Sequence, residues 1–536
     1  MTGGKEAMRF VILALLLAAW PAEALSGSVQ DDRKWAEALL AHQRQSGSKD
    51  SAERARGVSL LGEATDEKHD KACLQLVGAQ LRQELGRDPQ GRNEERVAGA
   101  VLEACVGALQ KIRQKDVVAD MLRLARNRAE SLPVRVHVIW GLARAGAPQD
   151  LSELADDRTP QIQVAAVDAL CEKGAAAADA LMKILNDPKR PWEARVGAVR
   201  GLEKIGGELA VEALLQSLAA MKAEPGRPKD DVVRSLWKAA GIDLATDDPA
   251  LWREAWDAKK KGQAAPAAAA NAPPGEVPIE FFGIQARSAR VVFVLDRTGS
   301  MSSPFKAAAI QARKLPPKDP APGAKEPHQD VAARNEADRI RRKHASRALE
   351  TRMDAFKREF IQAVWDLEGH VWFGVVWYEA NVQPWKDRLV QATWPNKLEI
   401  ISEVDRIQPS GGTNIWAGLE FALRMAGSDG RPDSVQVDKR GNYTTLLGGA
   451  DTIFLMTDGA HNVGEFVNDK ATTPMDACEK DEFVAEVRKL NRLRRIRIHT
   501  VCLGGGSPSQ PDSFPDPDLM KRIADETGGL FAHVRG

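Results

Sequence analysis

Hydrophobic positions along this chain fall into two regimes. From about residue 31 to 256, apolar side chains recur every three or four residues, the spacing of a helix that buries one face. A stronger regularity lies inside that stretch. Val136, Ile139, Leu142 and Gly146 stand at offsets 0, 3, 6 and 10; Val164, Val167, Leu170 and Gly174 repeat them, and Val196, Val199, Leu202 and Gly206 repeat them again. Gly141, Ala169 and Gly201 recur at offset 5, and Arg135, Gln163 or Arg195 precedes each set. The apolar set predicts one buried helix face, the small residue admits a neighbouring helix, and the closing glycine predicts a left-handed helix end. A second apolar helix follows, as at 178–185 and 209–218, with Pro160 and Pro191 marking helix starts. A helix pair recurring in this way is the signature of a solenoid, which offers extended surface for protein partners.

The second regime starts after Arg290. Val291-Val292-Phe293-Val294-Leu295 is a continuous apolar run of buried-strand type that ends at Asp296. Amphipathic helical patterns follow at 352–367, 397–407, 415–425, 483–494 and 517–527. They alternate with strand patterns at 371–378, 452–456, 496–503 and 530–534. Such alternation predicts an α/β, doubly wound, mostly parallel sheet with helices on both faces. In that architecture ligands collect at the carboxyl ends of the strands. Between the regimes, 257–288 reads as an Ala/Pro-rich linker, with an alanine run and Pro273-Pro274-Gly275.

Three polar loops fall where that rule places ligands. Asp296-Arg297-Thr298-Gly299-Ser300 follows one strand, Ser410-Gly411-Gly412-Thr413-Asn414 precedes a helix, and Thr457-Asp458-Gly459 follows another strand. Together they offer carboxylates and hydroxyls and no thiol, a donor set suited to a hard divalent cation. With two carboxylates, the ion keeps an electrophilic position that a partner carboxylate can fill. His461, Trp416 and Asn414 stand close in sequence to these loops and are candidate rim contacts.

At this point residues 289–536 resemble a von Willebrand factor type A domain with a metal-ion-dependent adhesion site. The resemblance implies metal ligands at Asp296, Thr298 and Ser300 on the first loop, Thr413 on the second and Asp458 on the third. It also implies a Rossmann-like fold, with hydroxyl residues touching the ion directly and aspartates acting directly or through water. Mg²⁺ is the expected cation, with Mn²⁺ or Ca²⁺ as alternatives, and the expected ligand is an Asp or Glu carboxylate of a protein. Thr298 departs from the family pattern, where Ser is usual; it keeps the hydroxyl and adds a methyl group. Residues 31–256 resemble HEAT-like repeats, which implies a second protein-binding surface. The pairing of the two resembles that of bacterial exported proteins.

Two insertions interrupt the compact pattern, at about 302–350 and 428–450. The first opens with a Pro-rich piece and carries eleven Lys and Arg against six Asp and Glu. Its positive surplus suits an acidic partner, while its composition predicts a solvated, partly disordered loop. Six tryptophans, at 365, 372, 377, 385, 394 and 416, fit core packing better than a carbohydrate platform.

Composition narrows the rest. Lys and Arg balance Asp and Glu, 75 to 75, so nothing global points to nucleic acid. Lys5 and Arg9, the apolar run Phe10–Trp20 and Ala22-Glu23-Ala24 read as a signal peptide over 1–24, predicting export to the periplasm, the envelope or the medium. No later run is long and apolar enough for a membrane span. Five scattered cysteines form no C-x-x-C and read mainly as buried thiols. No Walker loop, His-Glu-x-x-His or nucleophile elbow is present. The expectation is therefore a non-enzymatic interaction protein. A metal-free scaffold of an envelope complex is the alternative, and a metal-assisted hydrolase using His461 is a remote one.

Overall fold

The computed structural model describes residues 27–86, 92–221, 226–242, 244, 246–264, 279–305, 328–425, 449–464, 466, 475–505 and 515–535. The signal segment 1–24 and the second insertion, apart from its last two residues, lie outside them. The chain divides into two compact units. The first takes the chain up to Ala220 together with Ser235–Ile242; the second takes Met221–Arg234 and most of the chain from Asp243 onward.

The first unit is helical throughout its described length. Helices Leu132–Ala145, Pro160–Cys171 and Trp192–Ile205 pack side by side, and Pro148–Ala155, Ala178–Leu185 and Gly207–Ala220 form the second member of each pair. The recurring apolar set is fully buried at all three positions. The small residues work as expected. A Cβ on Gly201 would stand 2.7 Å from Cys171 Sγ and 2.8 Å from Leu181 Cδ1, and one on Gly141 would stand 2.5 Å from Leu109 Cβ. Gly174 and Gly206 take positive φ, +58° and +67°. Gly146 closes its helix at φ −63° instead, with its N–H on Leu142 O at 2.8 Å.

The residue ahead of each set also acquires a role. Arg135 Nε donates to Ala125 O and Arg195 Nε to Leu185 O, both at 2.8 Å, while Gln163 Nε2 donates to Asp157 O at 2.7 Å. Ala125 and Leu185 lie in the last turns of their helices, whose carbonyls have no partner within the helix. A buried donor repeated along the solenoid supplies one. Cys73 and Cys105 are buried among these helices, and burial pushes the Cys73 thiol up to about 12 and the Cys105 thiol higher. Among the described residues no helix is long and apolar enough to cross a membrane.

The second unit is built on a sheet whose strands run in the order β5-β4-β3-β7-β8-β9. These are β3 Arg290–Asp296, β4 Trp372–Tyr378, β5 Val382–Pro384, β7 Thr452–Thr457, β8 Arg497–Leu503 and β9 Phe531–Val534. The β3–β4, β3–β7, β7–β8 and β8–β9 pairs are parallel, and β5 and the short β6, Val390–Gln391, pair antiparallel with β4. Alternating residues of β3 feed two cores. Val291, Phe293 and Leu295 meet helices Arg352–Asp366 and Trp394–Arg406. Val292 and Val294 share the other core with helices Ile415–Arg424, Ala477–Asn491 and Pro517–Thr527.

Two expectations need correction. The linker is shorter than 257–288, because helix Pro249–Lys260 runs into its start and the hairpin β1–β2, Ile279–Phe281 and Ile284–Ala286, forms its end. Phe281 drives the latter, lying fully buried and edge-on to Phe293 at 5.6 Å and Phe454 at 5.8 Å. The first insertion likewise contains more than a loop. His328–Ser346 is a helix that buries Ala337 and Ile340, with Lys343 and His344 on Asp405 at 2.7 Å each. Its charges form a solvated face around an apolar stripe, which composition alone hides.

The edge of the sheet away from the three loops is held by buried charge. Asp230 meets Arg497 and lies 2.7 Å from Arg234 Nε and 3.5 Å from Arg287 Nη1. Asp231 meets Arg497 and, at 2.9 Å, Arg227, whose Nη1 donates to Asp451 O at 2.6 Å. Burial alone would raise the Asp230 carboxyl, but facing Arg497 and Arg234 outweigh it and hold the group well below the usual carboxylate range.

Gly201→Val is expected to lower the unfolding free energy of the repeats by about 1–3 kcal/mol through overpacking. Urea unfolding followed by circular dichroism checks it, and an unchanged midpoint would show that the helices are not in close contact there. Asp230→Asn is expected to cost about 3–5 kcal/mol at pH 7, since it strands buried guanidinium charge. Because the folded-state pKa is depressed, this contribution is present above the unfolded value of about 4 and fades as pH falls below it. Urea midpoints of wild type and variant should therefore converge only in strong acid; a gap already closed at pH 5 contradicts the ion-pair account.

Candidate metal centre

Asp296 is the last residue of β3 and Thr457 the last of β7, so neighbouring parallel strands bring the first and third loops to one edge of the sheet. Their side chains meet directly. Ser300 Oγ donates to Asp458 Oδ1 at 2.7 Å, and Thr298 Oγ1 lies 2.9 Å from Ser300 Oγ and 3.3 Å from Asp458 Oδ1. Asp296 is held from both sides: its Oδ1 accepts the Thr298 N–H at 2.8 Å, and its Oδ2 accepts Thr457 Oγ1 at 2.8 Å. Asp296 and Asp458 are both fully buried.

The second loop joins through backbone. Gly299 N–H donates to Gly411 O at 3.3 Å, and Ser410 N–H to Arg297 O at 2.8 Å. Thr413 is buried, takes the Asn462 N–H on its carbonyl at 3.0 Å and donates its own N–H to Asn462 Oδ1 at 2.8 Å. The structure thus gathers Asp296, Thr298, Ser300 and Asp458 by direct side-chain bonds and sets Thr413 between the flanking loops through its main chain.

The charges are costly where they stand. Burial, then the neighbouring Asp458 carboxylate, pushes Asp296 up to about 7. Burial also raises Asp458, against the pull of Ser300 and Arg352. The site is an oxygen-only donor set of two carboxylates and hydroxyls, the chemistry that a hard divalent ion takes. Among the described residues no group of three or more His, Cys, Asp or Glu gathers as a metal site.

The three expected rim residues are all buried. Trp416 is 2% exposed, its ring edge-on to Phe466 and Phe483 at 5.1 Å each, so it belongs to the core beneath the site. His461 is 1% exposed, and its Nδ1 accepts the Ile415 N–H at 3.1 Å. That bond satisfies one of the free N–H groups at a helix start and ties the third loop to the second. Asn414 caps the same helix, its side chain accepting from Ala417 N at 3.1 Å.

Other residues stand closer to the chemistry. Arg352 Nη1 donates to Asp458 Oδ2 at 3.0 Å and to Asp458 O at 2.9 Å. Tyr378 donates its hydroxyl to Met456 O at 2.7 Å, 3.4 Å from Asp296 Oδ2. Glu379 accepts Ser410 Oγ at 2.5 Å and pairs with Arg297 at 3.2 Å. Thr457 and Tyr378 end strands beside Asp296, a signal readable from strand register once the sheet order is known. Arg352 carries no such local signal, being 106 residues from Asp458.

A model of HEAT repeats matches residues 150–234. Inter-alpha-trypsin inhibitor heavy chain H2 of Mesocricetus auratus and of Mus musculus are each 28% identical over 176 residues, 32% of this chain. The chain spans only about 15% of the length of these curated relatives. Among solved structures, von Willebrand factor type A from Catenulispora acidiphila is 16% identical, covering 47% of this chain and 40% of that one, with a TM-score of 0.24. The PilB minor pilin from Streptococcus sanguinis is 14% identical, covering 46% and 56%, with a TM-score of 0.21. The repeat match, the strand order and the three loops at the carboxyl edge together describe a chain that joins HEAT-like helical repeats to a doubly wound, Rossmann-like α/β domain resembling the von Willebrand factor type A domain.

Proposed function

We propose that this is a non-enzymatic, exported interaction protein whose type A domain holds one divalent cation, Mg²⁺ by preference, and through it a carboxylate of a partner protein. Asp296, Thr298, Ser300, Thr413 and Asp458 would hold the ion, which supplies an electrophilic position for the partner's Asp or Glu. The observation that carries the reading is the cluster formed by Ser300 Oγ, Thr298 Oγ1 and Asp458 Oδ1, all within 3.3 Å of one another or of a shared neighbour, beside a second buried carboxylate. Two buried like charges cost several kcal/mol unless offset, and a divalent ion offsets both. The helical repeats would dock a second protein, as solenoid surfaces do. Export rests on the basic, apolar and small-residue pattern of residues 1–24.

A metal-free scaffold is the second reading, favoured by one observation: Arg352 already sets a cation against Asp458. A hydrolase is less well supported. It needs a base beside the ion, and His461 is buried with Nδ1 engaged by Ile415.

Isothermal titration with Mg²⁺ and Mn²⁺ separates the first two readings. Wild type is expected to bind one ion, and Asp296→Ala and Asp458→Ala to bind it more than about tenfold more weakly, a loss that even outer-shell partners produce. Absence of binding, or equal binding by both variants, would favour the scaffold.

A further inference from the structure

Arg352 lies in the first turn of helix Arg352–Asp366, whose start is fixed by a reciprocal cap: Thr351 accepts the Asp354 N–H, and Asp354 accepts the Thr351 N–H. Its own N–H bonds Ser303 O at 3.1 Å, which ties that start to the end of the first loop. The side chain is 4% exposed and runs to the third loop. There the two oxygens of Asp458 divide their work. Oδ1 faces the hydroxyls of Thr298 and Ser300, and Oδ2 faces the guanidinium.

Room for that guanidinium comes from a third segment. Gly504 follows β8 with φ +92°, and a Cβ there would stand 2.6 Å from Arg352 Cζ. The cap, the positive-φ glycine and the doubled bond to Asp458 place one fixed positive charge against the carboxylate that faces the hydroxyl cluster.

Charge arithmetic gives that placement a consequence. Asp296 and Asp458 bring two negative charges, and Arg352 returns one positive charge. A bound divalent ion then leaves the centre with an excess of one positive charge; without Arg352 the centre would be neutral. In a buried site of low effective dielectric, such an excess both repels the ion and attracts an anion.

Resting on the metal reading above, we propose that Arg352 is a specificity-determining residue that couples the two binding events. It weakens the site for a bare cation and strengthens it for a cation together with a carboxylate. By linkage, a carboxylate then raises ion affinity by the factor by which the ion raises carboxylate affinity. The guanidinium is a positioning group that acts through Asp458 and through its charge.

The test uses the full chain, Mn²⁺ as probe ion and acetate as probe carboxylate, with free Mn²⁺ read by electron paramagnetic resonance at constant ionic strength. In wild type, acetate is expected to tighten Mn²⁺ binding by about fivefold or more, the lower range of a coupling of this kind. Arg352→Gln is expected to bind Mn²⁺ alone about tenfold or more tightly than wild type and to lose most of the acetate effect. Arg352→Lys should restore the wild-type pattern, which a purely structural role does not require. A folded Arg352→Gln protein that binds bare Mn²⁺ no more tightly overturns the proposal. So does wild-type Mn²⁺ binding indifferent to acetate, which decides the matter even if the glutamine variant does not fold. Those results leave the metal reading standing, whereas failure of wild type to bind Mn²⁺ under any condition removes both.

Discussion

Two carboxylates buried at the ends of adjacent parallel strands are the constraint around which the second unit is arranged. Like charges in a dry place disfavour each other, and each must be met by donors or by opposite charge. Asp296 is met by the Thr298 amide and the Thr457 hydroxyl. Asp458 is met by two hydroxyls and a guanidinium. Those donors come from β3, β7 and the start of helix Arg352–Asp366, so satisfying two acids fixes the relative placement of three segments. The second loop is then held through Gly299 on Gly411 and His461 on Ile415.

The opposite edge of the sheet handles charge in another way. There Asp230 and Asp231 face Arg227, Arg234, Arg287 and Arg497, and Asp451 takes Ser288 Oγ at 2.5 Å and two backbone N–H groups of the segment entering β3. Three acids at that edge meet four arginines, which makes the edge a clamp. At the loop edge, Arg352 meets only Asp458 of the two buried acids. That leaves surplus negative charge at the loop edge and none at the other, so the two edges differ in charge balance.

Much of this arrangement was legible along the chain because it depends on local period and on strand ends. The offset pattern around Val136, Val164 and Val196 marks three helix faces directly, since burial at period 3.6 leaves its trace in sequence. Apolar runs ending at Asp296 and Thr457 place two loops at one sheet edge by a general property of parallel sheets. What local reading misses is direction and distance. Trp416 and His461 follow the motif residues, yet a helix start turns one ring into the core and an orphan N–H draws the other inward. Helix His328–Ser346 hides behind its charges, because Ala337 and Ile340 are a thin apolar stripe among arginines.

Of the two residues that set the site's character, Thr298 matters less than Arg352. Thr298 keeps its hydroxyl 2.9 Å from Ser300 Oγ and 3.3 Å from Asp458 Oδ1, so the added methyl leaves the oxygen within the cluster and changes no charge. Arg352 lies outside every motif position, and only folding brings it to Asp458. A motif comparison weighs the residues inside the pattern, whereas the affinity of an ion site follows its summed charge. The ligand set therefore describes where an ion would sit, and a residue from a distant helix sets how strongly the centre calls for an anion once it is there.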